Sequence, residues 1–93
     1  MKSRIKTKQD SEALLAEDLL HEHHLVLYND DVNSFDFVIE SLIEICRHDR
    51  MQAEQCTYLV HYKGKCSVKD GSFRNLRPMC EGLLDRGLTA SIE

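Results

Sequence analysis

Between Phe35 and Cys46 the apolar residues fall at Phe35, Val38, Ile39, Leu42, Ile45 and Cys46, the three-and-four spacing that makes one face of a helix. A stripe of this kind has to be covered, and a chain of 93 residues has room for one small core. The cadence then starts again. In "MQAEQCTYLVHYK" the residues Ala53, Thr57, Val60 and His61, continued by Gly64, lie along one line, with Cys56, Leu59 and Tyr62 on the neighbouring stripe. Asp49 with Gln52 reads as the start of this second helix and Gly64 as its left-handed stop. The first helix is expected to be capped by Asn33, with Asp36 reaching back to the cap amide.

Segments with strand chemistry surround these helices: His24 to Tyr28, Lys65 to Asp70 and Leu88 to Ile92. A third helix is expected from near Asn75, which puts Pro78 in the first turn, to Arg86 just before Gly87. The order strand, helix, helix, strand, helix, strand predicts an α+β fold, a three-stranded, mainly antiparallel sheet covered on one face by helices. Residues 1–23 begin basic, turn acidic and carry one turn of helical spacing at Leu14, Leu15, Leu19 and Leu20. They are expected to be a mobile extension with nascent helix, leaving residues 24–93 as the folded domain.

Composition narrows the function classes. No apolar run approaches the ~20 residues of a membrane span, and Met1 does not open a signal peptide, so a cytoplasmic protein with no membrane contact is expected. Cys46, Cys56, Cys66 and Cys80 then read as reduced thiols of the core. The net charge of −4 conceals a segregation: no Lys or Arg occurs between Lys8 and Arg47, while ten carboxylates do. The resulting acidic field attracts cations and disfavours nucleic acid.

The densest chemistry lies in "LYNDDVNSFDFV", where Asn29, Asp30, Asp31, Asn33 and Asp36 gather five side-chain acceptors around one loop. An Asx turn between strand and helix accounts for some of them without any function. Together they would also suit a compact ammonium group with its three donors. A calcium loop would need alternating ligands and a distant bidentate Glu, which this segment lacks. His61, one turn from Thr57 and next to Val60, fits either a packed helix-end residue or a polar rim above an apolar floor. The run His21, Glu22, His23, His24 has two zinc-compatible imidazoles but no placed third ligand. "HYKGK" lacks the first Gly and the Ser or Thr of a phosphate loop, and Cys56 is too far round its helix from His61 to pair with it. No metal or cofactor is expected.

"LYNDDVNSFDFVIESLIEIC" followed by "AEQCTYLVHYKGKCSV" resembles the ClpS family of Clp protease adaptors, the N-recognins of the bacterial N-end rule pathway. The resemblance runs from about His24 to Glu93. It implies a protein without an active site of its own that binds the free amino terminus of substrates beginning with Phe, Leu, Tyr or Trp; so small and acidic an adaptor is most simply a monomer. Such an adaptor passes them to the N-terminal domain of a ClpA- or ClpC-like AAA+ unfoldase. By motif position, Asn29, Asp30, Asp31 and His61 would hold the α-amino group, with Asn29, Asp31 and His61 the direct partners. Val32, Asn33, Phe35, Val38, Thr57, Val60 and Leu88 would line a pocket for the first side chain. The family often has Pro where this chain has Ser34, and its best-known members have Met at the positions of Phe35 and Thr57. The resemblance also implies a ClpS-like α/β sandwich, shared with the C-terminal domain of the ribosomal stalk protein. A general protein-interaction domain of the latter kind is the alternative reading.

Overall fold

The computed structural model describes residues 12–16, 18 and 20–93. Helical backbone at 12–16, 18 and 20 precedes three strands and three helices. In chain order these are β1 (His23–Tyr28), α1 (Phe35–Cys46), α2 (Arg50–Lys63), β2 (Lys65–Gly71), α3 (Phe73–Asp85) and β3 (Thr89–Ile92). The expected mobility of residues 1–23 falls largely on residues outside those described.

Strand β1 is central in the order β2-β1-β3, and both pairings are antiparallel. Its alternation decides the architecture: Leu25 and Leu27 are fully buried toward the helices, and His24 and Tyr28 lie on the opposite face. Polar pairs close that face. His24 Nδ1 meets Asp70 at 2.6 Å, and the Tyr28 hydroxyl donates to Glu93, which also accepts from Ser91. On the covered face Leu42 of α1, Ala53 of α2, and Leu76 and Leu83 of α3 complete a single core with Leu25 and Leu27. Each fully buried Leu contributes about 1.5–3 kcal/mol.

The expected α+β order is present, and three local details differ from expectation. Helix α1 is capped by Ser34, whose Oγ accepts from the Phe37 amide, while Asn33 is drawn elsewhere. Helix α3 begins at Phe73 with Ser72 as its cap, so Pro78 lies inside it. Pro78 and Arg74, whose carbonyl loses its helical donor, are both exposed, so that carbonyl lies within reach of solvent. Leu88 precedes β3 rather than belonging to it, yet it is buried.

Strand β2 slips register between its pairings to Leu25 and Val26, leaving Val68 as an extra residue. A bulge frees a carbonyl, and here the Val68 oxygen accepts from Nε2 of the buried His48 at 2.6 Å. Because a carbonyl only accepts, Nε2 carries the proton, and the buried Nδ1 has no hydrogen-bond partner among the described residues.

Candidate functional site

The loop from Asn29 to Ser34 is organised by one carboxylate. Asp30 Oδ1 accepts from the backbone amides of Val32 and Asn33, both at 3.0 Å, and Asn33 Nδ2 donates to both Asp30 oxygens at 3.1 and 3.0 Å. The same Asn33 amide nitrogen donates to the Gly87 carbonyl at 3.1 Å, tying the loop to the turn before β3. Partial burial pushes the Asp30 carboxyl up, but the amide hydrogen bonds from Asn33 and Val32 outweigh it and hold the group below its ordinary value. At the other end of the loop the Asn29 amide donates to the Gly64 carbonyl at 2.9 Å. Gly64 terminates α2 at φ +91°, a conformation that favours glycine.

This frame encloses a cavity of about 240 Å³ lined by Asn29, Asp31, Phe35, Thr57, Val60, His61 and seven further residues. Its size is below the ~300–1,000 Å³ of pockets for drug-sized ligands and suits a single side chain. The Val38, Val60 and Leu88 side chains in its wall are buried. Thr57 is buried too, but its hydroxyl donates back to the Ala53 carbonyl at 2.8 Å, leaving its methyl as the group available to the cavity. Phe35 is half-buried at the rim, its ring edge-to-face with Tyr58 at 5.4 Å and with His61 at 5.0 Å.

The polar groups at the opening divide into two kinds. Asp30 is occupied by the loop. The side chains of Asn29 and Asp31 make no hydrogen bond or ion pair with the described residues, and His61 makes ring contacts only. All three side chains are exposed at the rim of an otherwise apolar recess. Two acceptors and an imidazole in that position can take up the donors of an ammonium group without displacing any internal bond.

Ten of the eleven residues expected at the site line this cavity. Val32 does not. It is 88% exposed at the tip of the loop, because the turn around Asp30 directs it outward. Leu27, Tyr28 and Ser34 line the cavity as well and were not anticipated. Leu27 and Tyr28 end the strand that leads into the loop, so that adjacency was the available signal. The imidazoles of the His run go separate ways, His23 against Phe73 and His24 to Asp70, and no metal-holding group of three is present among the described residues.

Comparison with known proteins bears on the family and the fold. Residues 20–91 match the family model of the ATP-dependent Clp protease adaptor protein ClpS. The ATP-dependent Clp protease adapter protein ClpS of Oleidesulfovibrio alaskensis is 40% identical over 63 residues, which span 66% of this chain and 61% of that protein. The structure of Agrobacterium tumefaciens ClpS2 bound to L-phenylalaninamide superposes with a TM-score of 0.74 at 19% identity, covering 77% of this chain and 94% of that one. The fold is thus shared with that structure, and the family match extends over the strand, loop and helices that build the cavity. The chain belongs to the ClpS family of Clp protease adaptors.

Proposed function

We propose that this chain binds the free α-amino group and bulky apolar first side chain (Phe, Leu, Tyr or Trp) of a protein. It then delivers that protein to the N-terminal domain of a ClpA- or ClpC-like AAA+ unfoldase. The observation that carries this reading is the trio Asn29, Asp31 and His61, whose side chains make no hydrogen bond or ion pair with the described residues, at the mouth of a one-side-chain cavity with an apolar wall. L-Phenylalaninamide, the ligand of the Agrobacterium ClpS2 structure, combines the same two features, a free amine and an aromatic side chain. In this reading the protein has no catalytic group of its own, works in the cytoplasm as a monomer, and uses residues 24–93 to bind. Residues 1–23 would engage the unfoldase.

Energetics require that both features be read together. A hydrogen bond to a charged group contributes about 1.5–3 kcal/mol and a buried Phe side chain a similar amount. Micromolar affinity needs about 8 kcal/mol after association costs, more than either half supplies.

Fluorescence anisotropy with three labelled peptides tests the reading. A peptide beginning with free Phe should bind, its N-acetylated twin at least about tenfold more weakly, and one beginning with Ala more weakly again. Equal binding of all three, or none, would sink it and favour a general interaction domain.

A further inference from the structure

The apolar surface of the cavity does not stop at its rim. Tyr58 and Tyr62 lie one turn apart on α2, 53% and 74% exposed, and neither lines the recess. Their rings are parallel within 1°, with centroids 6.0 Å apart. Each meets, edge to face, a ring that does line the recess: Tyr58 meets Phe35 at 5.4 Å and Tyr62 meets His61 at 5.0 Å. Phe35 and His61 are themselves 5.0 Å apart, so the four rings close a circuit, half of it in the cavity wall and half on the surface beyond.

A single exposed tyrosine is ordinary. Two of them, set four residues apart on one helix face and each fixed against the cavity wall, make an ordered apolar shelf continuous with the recess. Rings already held in place lose little freedom when a ligand settles on them, which favours binding there.

We propose that this shelf receives the third side chain of the bound protein, giving a preference for clients with a bulky apolar residue at that position. The assignment rests on the amino-terminus reading. The α-carbon of the client's first residue has three substituents besides hydrogen. Its amine goes to Asn29, Asp31 and His61 and its side chain into the recess, so its carbonyl crosses the part of the rim that Phe35 occupies. Beyond Phe35 stands Tyr58.

Along an extended chain successive side chains point to opposite sides, and residues two apart share a side at a spacing of about 6.4–6.8 Å. The second side chain therefore faces solvent. The third comes down on the same side as the first. The shelf rings lie 5.0 and 5.4 Å outside the wall rings, and the first side chain sits inside that wall, so a two-residue step reaches them. Tyrosine suits the place, since its ring offers apolar area while its hydroxyl stays in water.

Anisotropy with labelled peptides that share a free amino-terminal Phe tests the shelf. A peptide beginning Phe-Ala-Leu should bind about fivefold more tightly than one beginning Phe-Ala-Ala, the gain of a partly buried Leu, and one beginning Phe-Leu-Ala should match Phe-Ala-Ala within about twofold. Tyr62→Ser, which leaves the Phe35–Tyr58 contact in place, should reduce the Phe-Ala-Leu advantage, and the Tyr58→Ser, Tyr62→Ser double variant should abolish it. An advantage at the second position in place of the third, or none at either, would overturn the proposal. So would an advantage that survives in the double variant while all affinities fall together, because the rings would then only brace Phe35 and His61. A wild-type dimer in sedimentation that the double variant dissociates would assign the shelf to a second copy and overturn it too. If Phe-Ala-Ala binds with no preference at the third residue, the shelf fails and the amino-terminus reading stands; if no free-Phe peptide binds, both fail.

Discussion

Asp30 and Asp31 are adjacent carboxylates, and the structure gives them different work, which a pair of substitutions can separate. Asp30 accepts from three donors, the Val32 and Asn33 amides and Asn33 Nδ2. The site is only half-buried, so each bond contributes near the lower end of the usual ~0.5–1.5 kcal/mol. Asp30→Ala should therefore destabilise by about 1.5–2 kcal/mol, comparable to losing a strong helix cap. In a domain of this size that lowers Tm by roughly 6–15 °C. Asp30→Asn keeps one acceptor oxygen and should cost about half as much. Asp31, exposed and without a hydrogen bond or ion pair to the described residues, should tolerate Asn within about 0.5 kcal/mol. Binding of the free-Phe peptide should respond in the opposite sense, with Asp31→Asn losing about 10–100-fold through one charged hydrogen bond.

The acid limb adds a further check. The folded Asp30 pKa is below the ordinary 3.8, so its contribution is complete above that pH and disappears as pH falls through the lower folded value. The stability gap between wild type and Asp30→Ala should narrow over that window. Urea titrations monitored by circular dichroism between pH 2.5 and 7, with anisotropy alongside, measure all of this. An Asp30→Ala variant that melts like wild type, or an Asp31→Asn variant that melts as low as Asp30→Ala, would refute the division of labour.

Other outcomes follow from single contacts. Replacing His48 with Phe removes the donor to the Val68 carbonyl and leaves it buried, which should cost about 1–3 kcal/mol in urea unfolding. Arg47 ends α1 in a left-handed conformation at φ 58°, so Arg47→Gly should raise stability by about 0.5–1 kcal/mol, read as an increase in Tm. The Asp70 carboxylate, through its hydrogen bond, holds the His24 pKa above 6.5. Any stability it contributes is complete below 6.5 and lost as pH rises through the folded value. An NMR titration of the His24 ring should show the raised midpoint, and Asp70→Asn should lower it.

The periodic parts of the chain were legible because burial repeats along them. Leu42, Cys46, Ala53 and Val60 could be placed on inner faces from spacing alone. What sequence reading missed was decided by groups far apart in the chain. Asn33 is a good cap by type, but Gly87, 54 residues on, and Asp30 compete for its side chain, and the cap passes to Ser34. At α3, the proline argued for a late start, yet two of its first amides, Phe73 and Arg74, donate to the Asp18 carboxylate from more than fifty residues away. No local pattern announces such a cap. The cavity was legible because its two halves each carry a dense motif, "NDD" and "VHYKG". Val32 was misplaced because a tight Asx turn reverses the direction a residue faces within two positions.

The bulge at Val68 has a consequence for how such a protein can handle extended polypeptide. A three-stranded sheet with β1 in the middle leaves two borders that could recruit a stray strand. One border, β3, is four residues long, and the other is broken by the bulge, with one carbonyl held from within by His48 and with Lys65 and Lys69 on the same strand. Short length, irregular pairing and lysines are the features that discourage strand addition. In the proposed role, an unravelling client is held close by its first few residues alone. The sheet offers its backbone no second foothold, so the client stays in transit and does not become a fourth strand.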